Sequence, residues 1–205
     1  MGRPKQPLLS AELIADAALE LIDETGALQM IALARRLSVA PSSLYNHVAG
    51  REEVVELLRT RIAESVGAGS PGGATWQEGV RSALDFSIEM YGRHLKAMML
   101  LFEQAIGNSN VLAWYERVAG TLAEAGFDLE DISAIISLLD ATAIGLAMDS
   151  RVPEQLWELD TIDNEDLPTL RSAQLRQPNK QARSLIVRRL AIEAIITRLE
   201  HMLEN

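Results

Sequence analysis

Apolar side chains recur at helical spacing along almost the whole chain. Leu13, Ile14, Ala17, Ala18, Leu21 and Ile22 form one stripe, which predicts an amphipathic helix from Ser10 to Thr25. Ser10 is placed to cap its first turn by accepting from a free backbone N–H. Gly26 stands where a left-handed residue ends a helix. Two short helices are expected next, at 30–37 and 41–47, joined by the tight turn Ser38-Val39-Ala40. Pro41 suits a first helical position, because its missing N–H would have no partner there anyway. A fourth helix is expected at 51–66. Gly67-Ala68-Gly69-Ser70-Pro71-Gly72-Gly73 then breaks the pattern and reads as a linker. Longer helices follow, at 76–94, 96–105, 111–125, 129–150 and 181–203. The stretch from Arg151 to Lys180 holds three prolines and the acidic run Asp160 to Asp166, and is expected to be irregular with one short helix. Alternating strand patterns and internal repeats are missing, so the expected fold class is all-α, with a boundary between 1–66 and 67–205.

Composition narrows the chemistry. Of 205 residues, 48% are apolar, enough for a proper core, and 23% are charged. Cysteine is absent, which removes disulfide scaffolds, thiolate zinc sites and cysteine nucleophiles together. His47, His94 and His201 are isolated from one another, so no metal site is expected. The glycine-rich stretch lacks the lysine of a phosphate loop, and Ser70 is not in a nucleophile elbow; no cofactor and no enzymatic activity are expected. No apolar run follows a basic start. The most apolar stretch, Ile132 to Met148, is shorter than the roughly 20 residues of a membrane span and contains Asp140. A soluble, cytoplasmic protein without a membrane partner is expected.

The net charge of −10 argues against a general polyanion binder, so the distribution of charge decides. Between Thr25 and Arg51 there is no Asp or Glu, while Arg35, Arg36 and Arg51 are present. Residues 1–11 also lack acids and hold Arg3 and Lys5. The two short helices therefore form an acid-free surface flanked by cations, as phosphate contact requires.

Two short helices on a tight turn, behind a longer first helix, describe a helix-turn-helix unit. Ala34 lets the short helices approach, and Leu37, Val39 and Leu44 are placed to seal the unit onto the first helix. Ser42, Ser43, Tyr45, Asn46 and His47 are expected to stay outward, able to meet phosphates or base edges in a major groove.

These residues resemble the tetracycline-repressor (TetR) family of transcriptional regulators. The resemblance rests on Gly2-Arg3-Pro4, Ile14 to Leu21, Ala32-Leu33-Ala34-Arg35-Arg36-Leu37 and, most specifically, Leu44-Tyr45-Asn46-His47-Val48 followed by Arg51, Val54 and Val55. It covers roughly the first 60 residues. It implies a three-helix helix-turn-helix DNA-binding domain and a helical-bundle domain for effector binding and dimerisation. It also implies backbone contacts from Tyr45 and His47, and phosphate contacts from Gln29 and from Arg51, which stands where the family usually has lysine. Arg3 and Lys5 fit either a minor-groove arm or a solubilising tail. Two departures stand out. Ser38 replaces the glycine common in the turn, and Ile31 stands where arginine is frequent. The function implied is a ligand-responsive regulator, foremost a repressor, that binds palindromic double-stranded operator DNA as a homodimer and is released by a small-molecule effector.

In the remainder, Ile132, Ile135, Ile136, Leu139, Ala143 and Leu146 form one stripe, and Leu138, Thr142 and Gly145 line another side. Leu185, Ile192, Ile195, Ile196, Leu199, Met202 and Leu203 repeat the pattern near the end. Helices apolar on more than one face need more than one neighbour, which suggests a two-fold four-helix interface. The resemblance places the effector inside the bundle, with Phe86, Met90, Met98, Met99, Phe102, Trp114, Leu138 and Thr142 as candidate lining, or as plain core. Asp140, within a nearly all-apolar helix, is left to bind a polar ligand group, to pair with Arg188 or Arg189 across the dimer, or to face water. An all-helical enzyme or carrier would need a catalytic pair, for which Asp140 alone is a poor start. A protein–protein adaptor is the other alternative.

Overall fold

The computed structural model describes residues 9–65, 72–102, 104–160 and 166–204. These form helices α1 (Ala11–Thr25), α2 (Met30–Arg36), α3 (Pro41–Tyr45), α4 (Arg51–Ser65), α5 (Trp76–Arg93), α6 (Leu95–Leu101), α7 (Ser109–Ala125), α8 (Leu129–Asp149), α9 (Pro168–Leu175) and α10 (Lys180–Leu203), with no strand among the described residues. The fold is all-α. Arg3, Lys5, most of the glycine-rich linker and most of the acidic run lie outside the described residues.

The chain divides into two compact units. One draws on Met1–Ser70 and Arg93–Arg117, the other on Pro71–Gly92 and Val118–Asn205. In the first, the α1 stripe is buried at Ile14, Ala15, Ala17, Ala18, Leu21 and Ile22. The Ser10 hydroxyl accepts from the Leu13 N–H at 3.2 Å, and Gly26 ends the helix at φ 75°. Leu33, Leu44, Val54, Val55, Leu58 and Ile62 close the core around it.

Packing draws α6 and the start of α7 into this unit through Arg59, which sequence reasoning missed. Arg59 is buried; its Nη2 donates to the carbonyls of Leu101 (2.8 Å) and Gln104 (2.9 Å), and its Nε to Glu56 at 3.1 Å. A guanidinium on the last carbonyls of a helix satisfies groups the helix cannot and opposes its dipole. The helix expected to run to Ala105 therefore stops at Leu101. Asn108 joins the same seam, its side-chain amide donating to the Thr60 hydroxyl at 2.6 Å.

In the second unit, Val80, Ala83, Leu84 and Tyr91 of α5 share a core with Leu122, Phe127, Ile132, Ile135, Leu139, Ala143, Ile192, Ile195, Ile196 and Leu199. Trp76 meets Phe127 edge to face at 5.4 Å. Gly79 allows a close approach, since a Cβ there would meet Thr121 Cγ2 at 2.9 Å. At 21 residues, with a mean hydropathy of 1.6 in its most apolar window, α8 is long and apolar enough to cross a membrane, which corrects the shorter run read from sequence. Only one stripe of it is buried, at Ile132, Ile135, Leu139, Ala143 and Ala147.

Candidate nucleic-acid interface

The turn between α2 and α3 fixes how α3 is presented. Val39 N–H donates to the Ala34 carbonyl and Ser38 N–H to that of Arg35, both at 3.0 Å, the paired bonds of a Schellman end. That motif needs a left-handed residue, and Ser38 takes the place at φ 57°. A side chain there costs on the order of 1 kcal/mol. Ser38→Gly is accordingly expected to stabilise the protein by about 1 kcal/mol, read as a raised denaturation midpoint; a lowered midpoint would mean that the serine side chain itself supports the turn.

Pro41 occupies the first turn of α3, and Leu44 anchors the helix with no exposed surface. The helix is shorter than expected, ending at Tyr45 rather than His47. The Leu44 carbonyl accepts from both His47 and Val48 N–H, and Val48 turns into the core. Around this anchor Tyr45 is 51% exposed, and Ser42, Asn46 and His47 are exposed while Ser43 is half-buried. Arg51 is exposed at the first residue of α4, and Gln29 is exposed ahead of α2, where its side chain makes no capping bond. The described candidates Gln29, Ser42, Ser43, Tyr45, Asn46, His47 and Arg51 thus sit at the ends of α2, α3 and α4 in one unit.

The cations divide. Arg35 and Arg51 are exposed and make no ion pair among the described residues. Arg36 does not belong to the surface. Its guanidinium is taken by Glu24 (2.5 and 2.7 Å) and Glu20 (3.2 Å) of α1, and that bond holds the Glu24 carboxyl below its usual range. The acids that the 26–50 stretch lacks are supplied by α1, too far away in sequence for the local reading to pair them.

The candidate effector residues fall in both units. Phe86, Met90 and Thr142 are half-buried and Leu138 exposed in the second; Met98 is buried, Met99 and Phe102 exposed and Trp114 half-buried in the first. Thr142 Oγ1 donates back to the Leu138 carbonyl at 2.8 Å, and Trp114 meets Tyr115 edge to face at 5.1 Å. Within the chain, Asp140 accepts from the Tyr91 hydroxyl at 2.7 Å, while Arg188 donates to Asp85 at 2.5 Å. A neutral phenol carries no charge signal in the sequence, so this partner was not legible there. No cluster of His, Asp and Glu able to hold a metal occurs among the described residues.

No protein-family model matches the chain. An HTH-type transcriptional regulator of Saccharopolyspora erythraea is 30% identical over 154 residues, 74% of this chain and 64% of that protein. The HTH-type transcriptional repressor DrrR1 of Streptomyces coeruleorubidus is 26% identical over 150 residues, 71% of this chain and 55% of that protein. The chain thus spans less than two thirds of the length of these relatives. Among solved structures, the Streptomyces coelicolor TetR family protein ActR in complex with actinorhodin matches with a TM-score of 0.73 and 22% identity, covering 96% of this chain and 99% of that one. BioQ with its double-stranded DNA operator matches with a TM-score of 0.62 and 18% identity, covering 93% and 98%. Such identities speak for the fold. With its left-handed turn, its sealed Leu44 and these structural neighbours, the chain has the fold of the TetR-family transcriptional regulators.

Proposed function

We propose that the chain is a transcriptional regulator, foremost a repressor, that grips palindromic operator DNA as a homodimer and lets go when a small molecule binds its bundle. The observation that carries this reading is the face of α3. Tyr45, Asn46 and His47 are exposed around a fully buried Leu44, with Arg51 exposed at the next helix start and no carboxylate between residues 26 and 50. Hydrogen-bonding groups on a rigidly seated short helix suit a major groove. The two curated relatives are regulators, one of them a repressor, and the two solved neighbours hold actinorhodin and operator DNA respectively. Arg3 and Lys5 would add an arm.

Dimerisation draws support from the apolar surface left on α8 and α10. Leu138, Met148, Ile186 and Leu190 are all exposed. Water-facing apolar side chains in such number on two adjacent helices suit a second copy better than solvent. That occupant also fits α8 better than a bilayer, because Asp140 takes a hydrogen bond within the unit. A cytoplasmic location follows from work on DNA. The effector can act only through unequal affinity for the DNA-competent and incompetent states.

Titration of duplex fragments against salt tests the docking. Arg51→Ala removes one cation per subunit, so binding to every duplex weakens by about tenfold and the slope of log affinity on log salt drops by about 2. His47→Ala weakens binding of all sequences similarly, since a contact to the DNA backbone carries no sequence information. Unaltered affinity in both variants would overturn the docking.

A further inference from the structure

The second unit holds a cleft of about 510 Å³ between the end of α8 and the start of α10. Its size lies within the roughly 300–1,000 Å³ of small-molecule pockets. Ile88, Leu146 and Leu185 supply its apolar lining, and Glu154, Lys180 and Arg188 are among its polar lining. None of the candidate effector residues lines it.

Most of the polar lining is committed within the protein. Ser184 Oγ donates to Asp149 at 2.7 Å, the Lys180 N–H to Glu154 Oε1 at 2.8 Å, and Arg188 to Asp85. The Lys180 ammonium has no ion pair among the described residues. Arg183, one residue before the lining Ser184 and bonded to the backbone of the lining Glu154, is only 8% exposed. Its Nη1 and Nη2 donate to the backbone carbonyls of Glu154 and Pro153, both at 2.9 Å, and its Nε has no acceptor. No carboxylate pairs with it among the described residues. A guanidinium taken out of water and held only by neutral carbonyls is a cost that nearby negative charge would relieve.

We infer that this cleft binds an amphipathic monoanion, a carboxylate carried on an aliphatic or aromatic body. Lys180 meets the carboxylate, Arg183 supplies positive potential, and the body covers Ile88, Leu146 and Leu185. The site is separate from the effector site proposed above and does not depend on DNA binding.

Calorimetric titration of the full chain tests this, with decanoate, decanol and decyltrimethylammonium as probes of equal chain length. Decanoate is expected to bind with saturation, at least about tenfold tighter than the other two, and to shift the backbone NMR signals of Leu146 and Ser184. Lys180→Glu is expected to weaken decanoate by about tenfold through charge reversal. Leu146→Trp, which adds bulk to the apolar lining, is expected to weaken it without altering the ranking of the probes. Equal binding of the three probes, no saturable decanoate binding, shifts confined to other helices, or wild-type affinity in either folded variant would overturn the inference.

Discussion

Leu190→Glu is expected to leave each chain folded yet convert the proposed dimer to monomers, lowering operator affinity on the order of a thousandfold. Leu190 is 56% exposed on α10, so its own unit loses little when it is changed. In an isologous interface every residue acts twice, so two carboxylates enter the apolar face together. Burying them without partners costs more than an interface of this kind can spare. The loss reaches DNA because a dimer's second recognition helix binds at the high effective concentration set by the first, an advantage a monomer lacks. Sedimentation gives the mass and fluorescence anisotropy the affinity. A variant that remains a dimer with full affinity would place the two-fold contact elsewhere on the chain.

The second large effect is on stability. Arg59→Met is expected to destabilise the first unit by about 3 kcal/mol, because it removes a charged donor from the segment that ends α6 and strands a glutamate. The Gln104 carbonyl loses its side-chain donor, the Leu101 carbonyl keeps only the long 3.3 Å bond from the Gln104 N–H, and Glu56, whose Oε2 is already buried without a partner, loses the cation beside it. Arg59→Lys is expected to recover only part of the loss, since an ammonium cannot present the fork that spans both carbonyls and the carboxylate. The denaturant midpoint measures both. A loss under about 0.5 kcal/mol in Arg59→Met would show that water replaces the guanidinium freely and that α6 is held by its apolar face instead.

Local chemistry was readable and distant pairing was not. The α1 stripe, the Ser10 and Gly26 caps, Pro41 at the start of α3 and a short helix between residues 151 and 180 all follow from spacing and backbone preference, and all are present. Ser38 was legible as a departure from the glycine that the resemblance puts in the turn, and it takes the left-handed conformation. The exposure of Tyr45, Asn46 and His47 was equally legible, since all three are polar residues next to the apolar anchor Leu44, although the helix ends at Tyr45. The contacts that escaped join residues far apart in the chain. Arg59 reaches 42 and 45 positions to cap α6, Tyr91 reaches 49 to Asp140, and Arg36 turns back to Glu20 and Glu24. An arginine at a helix surface carries no mark of the carbonyl or carboxylate that will claim it. The same holds for Arg183, whose burial depends on how residues 153–154 fold over α10.

Selection of genomic duplex fragments by the purified full chain at low ionic strength, followed by sequencing, tests the DNA-binding reading most directly. The retained fragments should share inverted half-sites centred about one helical turn apart, roughly 34–36 Å, and the double variant Tyr45→Ala/His47→Ala should enrich none of them. A protein that retains no duplex, with or without small molecules added, or a double variant that enriches the same fragments as the parent, would contradict it.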